Sequence, residues 1–278
     1  MRKRVLMTRD WKIIIPRVSG DDPIFNNIAL HGINALKFPV RVFNCVDDVT
    51  EPNTISHKYH RGIKALKNNE LKDEDIVILS HNDTNFLDNH FREKVELVFS
   101  EKDIALLGFV GTKELKETGC WWDGPSNNLR GHLIQGAKDK SPGDGFHLIK
   151  GLVGYFDDVV SIDGMCLITL GKYLRAGGIE IDTQTYSGNH FYDLDLCMSF
   201  LTNGFKIGVA DILIYHKSEG KSNENEEWKT ERDKFIAKWK NKGIEFPVTY
   251  ESIKAWREKN NVITPDINKQ SEIIEIEI

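Results

Sequence analysis

Three observations predict an α/β fold with a mixed, mainly parallel sheet flanked by helices. Short apolar, strand-like runs alternate with helix-spaced segments through the first two-thirds of the 278-residue chain. Several of those runs end in acids or histidine, as in "NCVDD", "SHND" and "LIYH". A composition of 40% hydrophobic and 28% charged residues is that of a soluble globular chain long enough to bury a sizeable core.

The elements follow in order. "KIIIP" (Lys12 to Pro16) is a buried-strand pattern stopped by proline. Ile24, Ile28, His31 and Leu36 share one face of a helix predicted over Ile24 to Leu36. "VRVFNCVDD" (Val40 to Asp48) reads as a second strand, and a helix is predicted from about Thr54 to Lys67. "EDIVILSHND" gives a third strand, followed by a helix around Asn89 to Ser100 and the strand "DIALLGFVG". In such sheets ligands bind outside the carboxyl ends of the strands, where Asp47, Asp48 and Asp83 fall.

Between Lys113 and Phe156 the glycine-, proline- and asparagine-rich stretches "TGCWWDGPSNNLRG" and "KDKSPGDGF" predict long loops. Order returns with "DVVSIDGMCLITL", a strand broken at Asp163-Gly164, then a helix at "GKYLRAGG". Leu194, Cys197, Met198 and Leu201 recur at helical spacing, placing a helix from near Asp193 to Gly204. "FKIGVADILIYH" is a further strand, ending at His216. The domain boundary is placed at residues 220 and 221, with residues 221–278 a C-terminal helical extension and tail. In that extension Trp228, Phe235 and Trp239 suit an amphipathic helix docked on the domain. The tail "SEIIEIEI" alternates in period two, as an edge strand or a disordered end does.

A net charge of -5 gives no electrostatic case for nucleic acid. No apolar run reaches the length of a membrane span, and the basic start lacks a signal-peptide core. Cys45, Cys120, Cys166 and Cys197 are scattered without a CxxC pair, so reduced thiols and a cytoplasmic location are expected.

Several side chains could carry chemistry. Asp83 with Asn85 forms a D-x-N triplet after an apolar strand, suited either to a hard divalent cation (Mg²⁺ or Mn²⁺) or to capping the next helix. His216 ends a strand on the same rim, and Asp, His and phosphate oxygens together suit Mn²⁺. Asp47 or Asp48 could hydrogen-bond a nucleotide or simply close a turn. Of the two aspartates in "FYDLDLC", Asp195 fits a first-turn helix role, whereas Asp193 is better placed to accept a proton. Trp121 and Trp122 either stack on a sugar or pin their own loop.

The order "KIIIP", "NCVDD", "SHND", "IDGMCLI" and "FYDLDLCMSFLTNGFKIGVADILIYH" resembles the family 2 glycosyltransferases of GT-A fold, a Rossmann-like α/β class. It is most similar to the StrF-like domain, in which D-x-D is reduced to histidine-x-aspartate, here "HND" (His81 to Asp83). The resemblance covers roughly Trp11 to Gly220. It implies metal-assisted, inverting transfer from a nucleotide-diphosphate sugar to a glycan or other hydroxyl acceptor. Asp83, Asn85 and His216 would hold Mn²⁺ or Mg²⁺. Pro16, Asp47, Asp48, His81, Asn82, Asp163 and Gly164 would stand on the nucleotide-sugar side. Trp121, Trp122 and Tyr192 would meet the acceptor, and Asp193 would be the catalytic base. The chain departs from the pattern where Tyr192 replaces a glutamate, where Asn85 replaces a second carboxylate, and where "PRVSGDD" follows the first strand. Those departures give a second reading, a non-catalytic nucleotide-sugar or glycan binding module. An NAD-dependent enzyme is disfavoured, because no G-x-G-x-x-G follows "KIIIP".

Overall fold

A computed structural model describes residues 9–17, 28, 32, 36, 38–48, 50, 52–69, 71–136, 146–150, 156–176, 178–218, 225–265 and 267. The continuous apolar runs become the centre of a seven-stranded sheet. β1 (Trp11–Pro16) is buried along its whole length and lies parallel between β2 (Arg41–Cys45) and β3 (Ile76–Ser80). β2 is the half-exposed edge of that sheet, which explains its mixed polarity. A strand covered on both faces needs the unbroken apolar pattern of "KIIIP" and "IVILS".

Helix α1 (Ile55–Asn68) starts at Thr54, whose side chain accepts from the His57 amide. It lays Tyr59, Ile63 and Leu66 on the sheet. A Cβ at Gly62 would meet Ile14 Cγ2 at 2.5 Å and Cys45 Sγ at 2.9 Å, so glycine permits the close approach of helix to strands. Lys58, at the same seam, donates to the Arg17 carbonyl and pairs with Asp47 at 2.7 Å. That polar knot ties the carboxyl ends of β1 and β2 together.

After β3 the chain forms the short β4 (Thr84–Phe86) and α2 (Phe91–Glu101). The run expected as one strand, "DIALLGFVG", is two: β5 (Leu106–Gly108) and β6 (Val110–Thr112), which belong to different sheets. The same division separates β12 (Ile207–Ala210) from β13 (Ile214–His216) within "FKIGVADILIYH". Apolar periodicity is indifferent to which sheet a strand joins, so both corners were invisible in the pattern. At the first corner the glycines matter: a Cβ at Gly111 would meet the Ser161 carbonyl oxygen at 2.0 Å.

The loops expected between Lys113 and Phe156 hold more regular structure than predicted. β7 (Leu129–Gln135) and β8 (Phe146–Lys150) form an antiparallel pair there. With β10 (Ser161–Ile162) at one edge, the second sheet runs β10-β6-β7-β13-β4, with β8 attached to β7. β9 (Phe156–Asp158), β10 (Ser161–Ile162) and β11 (Cys166–Leu170) follow, β11 separated from β10 by Asp163-Gly164 as expected. β11 enters antiparallel between β3 and β5, which makes the first sheet mixed, in the order β2-β1-β3-β11-β5-β12-β9. Its parallel pairings are β2–β1–β3 and β5–β12.

Four further helices complete the described chain: α3 (Gly171–Arg175), α4 (Tyr192–Thr202), α5 (Glu226–Asn241) and α6 (Tyr250–Lys259). Trp228, Phe235 and Trp239 of α5 are all buried and join the same hydrophobic core as the sheet. Of the helix expected over Ile24 to Leu36, only residues 28, 32 and 36 are described; the tail "SEIIEIEI" lies outside the described residues.

Candidate functional site

A cavity of about 580 Å³ opens where the carboxyl ends of β3, β10 and β13 meet the start of α4. This is where a ligand is expected on an α/β sheet. His81, Asp83, Trp121, Trp122, Asp163, Gly164, Tyr192, Asp193 and His216 all line it. Residues that the sequence scatters over nearly half its length are thus assembled around one space.

His81, Asp83 and His216 offer one ligand atom each, all within 4.8 Å of one another. Asp83 Oδ1 is buried and makes no hydrogen bond, although His216 Nε2 approaches it at 3.4 Å and His81 Nδ1 at 4.0 Å. Burial, the largest single influence, would raise the pKa of this carboxyl, but His216, His81 and a backbone amide together outweigh it and hold Asp83 below the usual carboxylate value. Burial works against a charge on His216 as well; Asp83 reverses that and raises the imidazole pKa.

The tautomer of His81 follows from its neighbour. Tyr192 Oη is 3.0 Å from the Gly164 carbonyl and 2.6 Å from His81 Nε2. A carbonyl can only accept, so the single hydroxyl proton goes to Gly164 and His81 Nε2–H donates to Tyr192. Burial lowers the His81 pKa to about 4, so the ring is neutral at pH 7. Its Nδ1 lone pair therefore faces Asp83 and His216, oriented by a second residue as metal-binding imidazoles are. Tyr192, which replaces the expected glutamate, is the residue that fixes this orientation.

Asp193 lies on the same cavity. Its Oδ2 accepts from the Gly164 amide at 2.8 Å. Burial, and then the charge of Asp163, raise its pKa to about 7. Asp163 is itself locked: Oδ2 accepts from Trp121 Nε1 at 2.9 Å and Oδ1 from the Met165 amide at 2.9 Å. Glycine at 164 is needed for this packing, because a Cβ there would meet Tyr192 Oη at 2.4 Å and Asp193 Cβ at 2.8 Å.

The two tryptophans differ in exposure. Trp121 is 7% exposed and pinned to Asp163, while Trp122 stands edge-on to it and is 38% exposed. Pro16, Asp47, Asp48, Asn82 and Asn85 do not line the cavity. Asp47 pairs with Lys58, and Asp48 accepts from the Thr50 amide and hydroxyl at 2.7 Å, closing its own turn. Asn85 is paired with Tyr215 on the β4–β13 ladder, one position out of step with His216, so it projects to the opposite face. Gln135, Asn189, His190, Phe191 and Trp228 line the cavity without having been singled out from sequence. His190 could have been noticed, two residues before Tyr192. Trp228 carried only a core-packing signal, and Gln135 none.

A family model described as a glycosyltransferase-like family matches residues 14–239, a span that contains every residue of the cavity wall. No curated protein matches the chain. A crystal structure of A197 from STIV is similar with a TM-score of 0.43 and 13% identity, over 76% of this chain and 86% of that one. A crystal structure of GalNAc-T7 with UDP, GalNAc and Mn²⁺ is similar with a TM-score of 0.45 and 10% identity; 94% of this chain spans 50% of that one. With the family match running from β1 to the last turn of α5, the chain belongs to that glycosyltransferase-like family.

Proposed function

We propose that this chain is an inverting, metal-assisted hexosyltransferase of the StrF-like type, using a nucleotide-diphosphate sugar and an acceptor hydroxyl. The observation that carries the reading is Asp83 Oδ1, a buried carboxylate oxygen without a hydrogen bond, set between two histidines on the wall that also holds Asp193. A buried polar atom left unsatisfied costs about 1–3 kcal/mol unless something binds it. Two imidazoles and one carboxylate fit a first-row transition ion such as Mn²⁺ better than Mg²⁺, which prefers oxygen ligands.

His81, Asp83 and His216 would hold the cation. Bound there, it would neutralise charge on the departing nucleoside diphosphate. The protein's own part is proton transfer and positioning. Asp193, with one oxygen held by Gly164, presents its other oxygen to an acceptor hydroxyl and takes the proton as the oxygen attacks the anomeric carbon. Its pKa of about 7 matches a general base working near neutral pH. Attack on the face opposite the leaving diphosphate inverts that carbon. The four free cysteines support a reducing, cytoplasmic setting.

Calorimetric titration of nucleotide sugars, with and without Mn²⁺, tests the proposal. At least one donor is expected to bind in an Mn²⁺-dependent way, and Asp83→Ala to abolish that dependence. Equal donor affinity with and without the ion would contradict it. Slow hydrolysis of the bound donor is also expected, which a binding module would not perform.

A further inference from the structure

We propose that the acceptor is a neutral saccharide, held by stacking on Trp122 and by hydrogen bonds to the imidazole of His190. This rests on the transferase reading above and names the class of its second substrate.

Most polar side chains of the cavity are already committed within the protein. His81 is bonded to Tyr192, Asp163 to Trp121, Asp193 to Gly164, and Asn189 Oδ1 accepts from the Ile55 amide at 2.9 Å. His190 lines the same cavity and has no hydrogen bond to the protein among the described residues. It is nevertheless held firmly through its backbone. The preceding Asn189 amide donates to Glu227 Oε1 at 2.8 Å, and the Ser187 amide to Glu231 Oε1 at 3.2 Å. The following Phe191 is left-handed, φ 62°, and its ring packs against Trp228 at 4.9 Å and Phe235 at 5.4 Å between centroids. A side chain fixed from behind, with its own nitrogens unused, is preorganised for a ligand.

The surroundings define the ligand's chemistry. Burial lowers the His190 pKa, keeping the ring neutral at pH 7 with one donor and one acceptor nitrogen. Either nitrogen can meet a sugar hydroxyl, which both donates and accepts. Aromatic side chains adjoin it: Trp228 packs on Phe191, and the Phe191 ring lies against Gly119, two residues before Trp121. Trp122 leaves part of its indole uncovered there, a surface for the apolar face of a pyranose. Among the described residues no lysine or arginine lines the cavity, and its two cationic groups, His216 and the proposed metal, lie on the donor side, so an acceptor carboxylate or phosphate has no basic side chain of its own to pair with.

The test is tryptophan fluorescence and saturation-transfer NMR with methyl glucoside, galactoside and mannoside, in the presence of Mn²⁺ and UDP. At least one pyranoside is expected to bind saturably to the wild type. His190→Ala should weaken it about three- to tenfold, as loss of a neutral hydrogen bond does. His190→Gln, which keeps a donor and an acceptor, should recover part of that, and Trp122→Ala should weaken binding independently. Mn²⁺ affinity should stay unchanged in the His190 variants, showing that the fold and the cation site are intact. Absence of pyranoside binding by the wild type, or equal binding by wild type and His190→Ala, overturns the inference. Binding of a serine- or threonine-containing peptide in place of the sugars would also overturn it. Absence of Mn²⁺-dependent donor binding would instead overturn the transferase reading, and the two failures are distinguishable.

Discussion

Asp193 and Asp195 stand two residues apart in α4, yet the fold gives them opposite surroundings. Two residues turn a helix by about 200°, so the two carboxylates face away from each other. Asp193 looks into the cavity, where backbone amides but no cation meet it, and burial and the charge of Asp163 raise its pKa to about 7. Asp195 is 1% exposed and looks toward α5, accepting from Lys238 Nζ at 2.7 Å, Trp239 Nε1 at 2.9 Å and Tyr186 Oη at 3.0 Å. Asp195 is saturated with donors, which offset much of the burial that still raises its pKa; Asp193 has only backbone amides. Neither caps the helix through the Ncap position, which is the left-handed Phe191 with no side-chain hydrogen bond. That conformation costs about 1–3 kcal/mol and is held by packing against α5. The buttress face of α4 therefore fixes the geometry of the cavity face.

The contrast can be broken from the buttress side first. Asp195→Ala should destabilise the protein by about 3–5 kcal/mol, because it leaves buried donors without their charge partner. Chemical denaturation measures this, and a loss under about 1 kcal/mol would mean that Asp195 is an ordinary first-turn residue. Trp239→Phe removes one of the three donors and should cost less, about 1–3 kcal/mol.

The same substitution logic gives the reverse result at Asp193. Its folded pKa, about 7, is raised from the ordinary aspartate value of 3.8, so the neutral form is favoured by folding. The stability it contributes is complete below pH 3.8 and lost as pH rises through about 7. Asp193→Asn should therefore be more stable than wild type at pH 8, with the difference vanishing toward pH 4 in thermal melts of the metal-free protein. Transfer by the wild type should fall as pH drops below about 7, where Asp193 becomes protonated. A smaller, structural effect is expected at Gly164→Ala, which must push Tyr192 and Asp193 aside and so lower transfer more than it lowers the melting temperature.

Sequence made some of this legible and not the rest, for physical reasons. Strands buried on both faces announce themselves as apolar runs, so β1, β3 and β11 were readable. Runs that cross between sheets look identical to straight ones, so β5–β6 and β12–β13 were not. β7 and β8 were obscured by the glycine and proline around them. At the site, short-range order placed His81, Asp83, Asp163 and His216 at strand ends, where the cavity formed. Asp195 was readable as structural, but its partners lie at Lys238 and Trp239, over forty positions away, and no local pattern could reveal them. Tyr192 looked like a departure from the family pattern, and only three-dimensional contact shows it setting the His81 tautomer.

The central claim is that Asp193 is the base beside a separate donor site. Asp193→Asn, measured in parallel for Mn²⁺-dependent nucleotide-sugar affinity and for turnover, tests it most directly. The account predicts donor affinity close to wild type and a fall in turnover of about 10²–10⁴-fold, the usual contribution of a general base. Turnover within about threefold of wild type, less than any general base contributes, would contradict it.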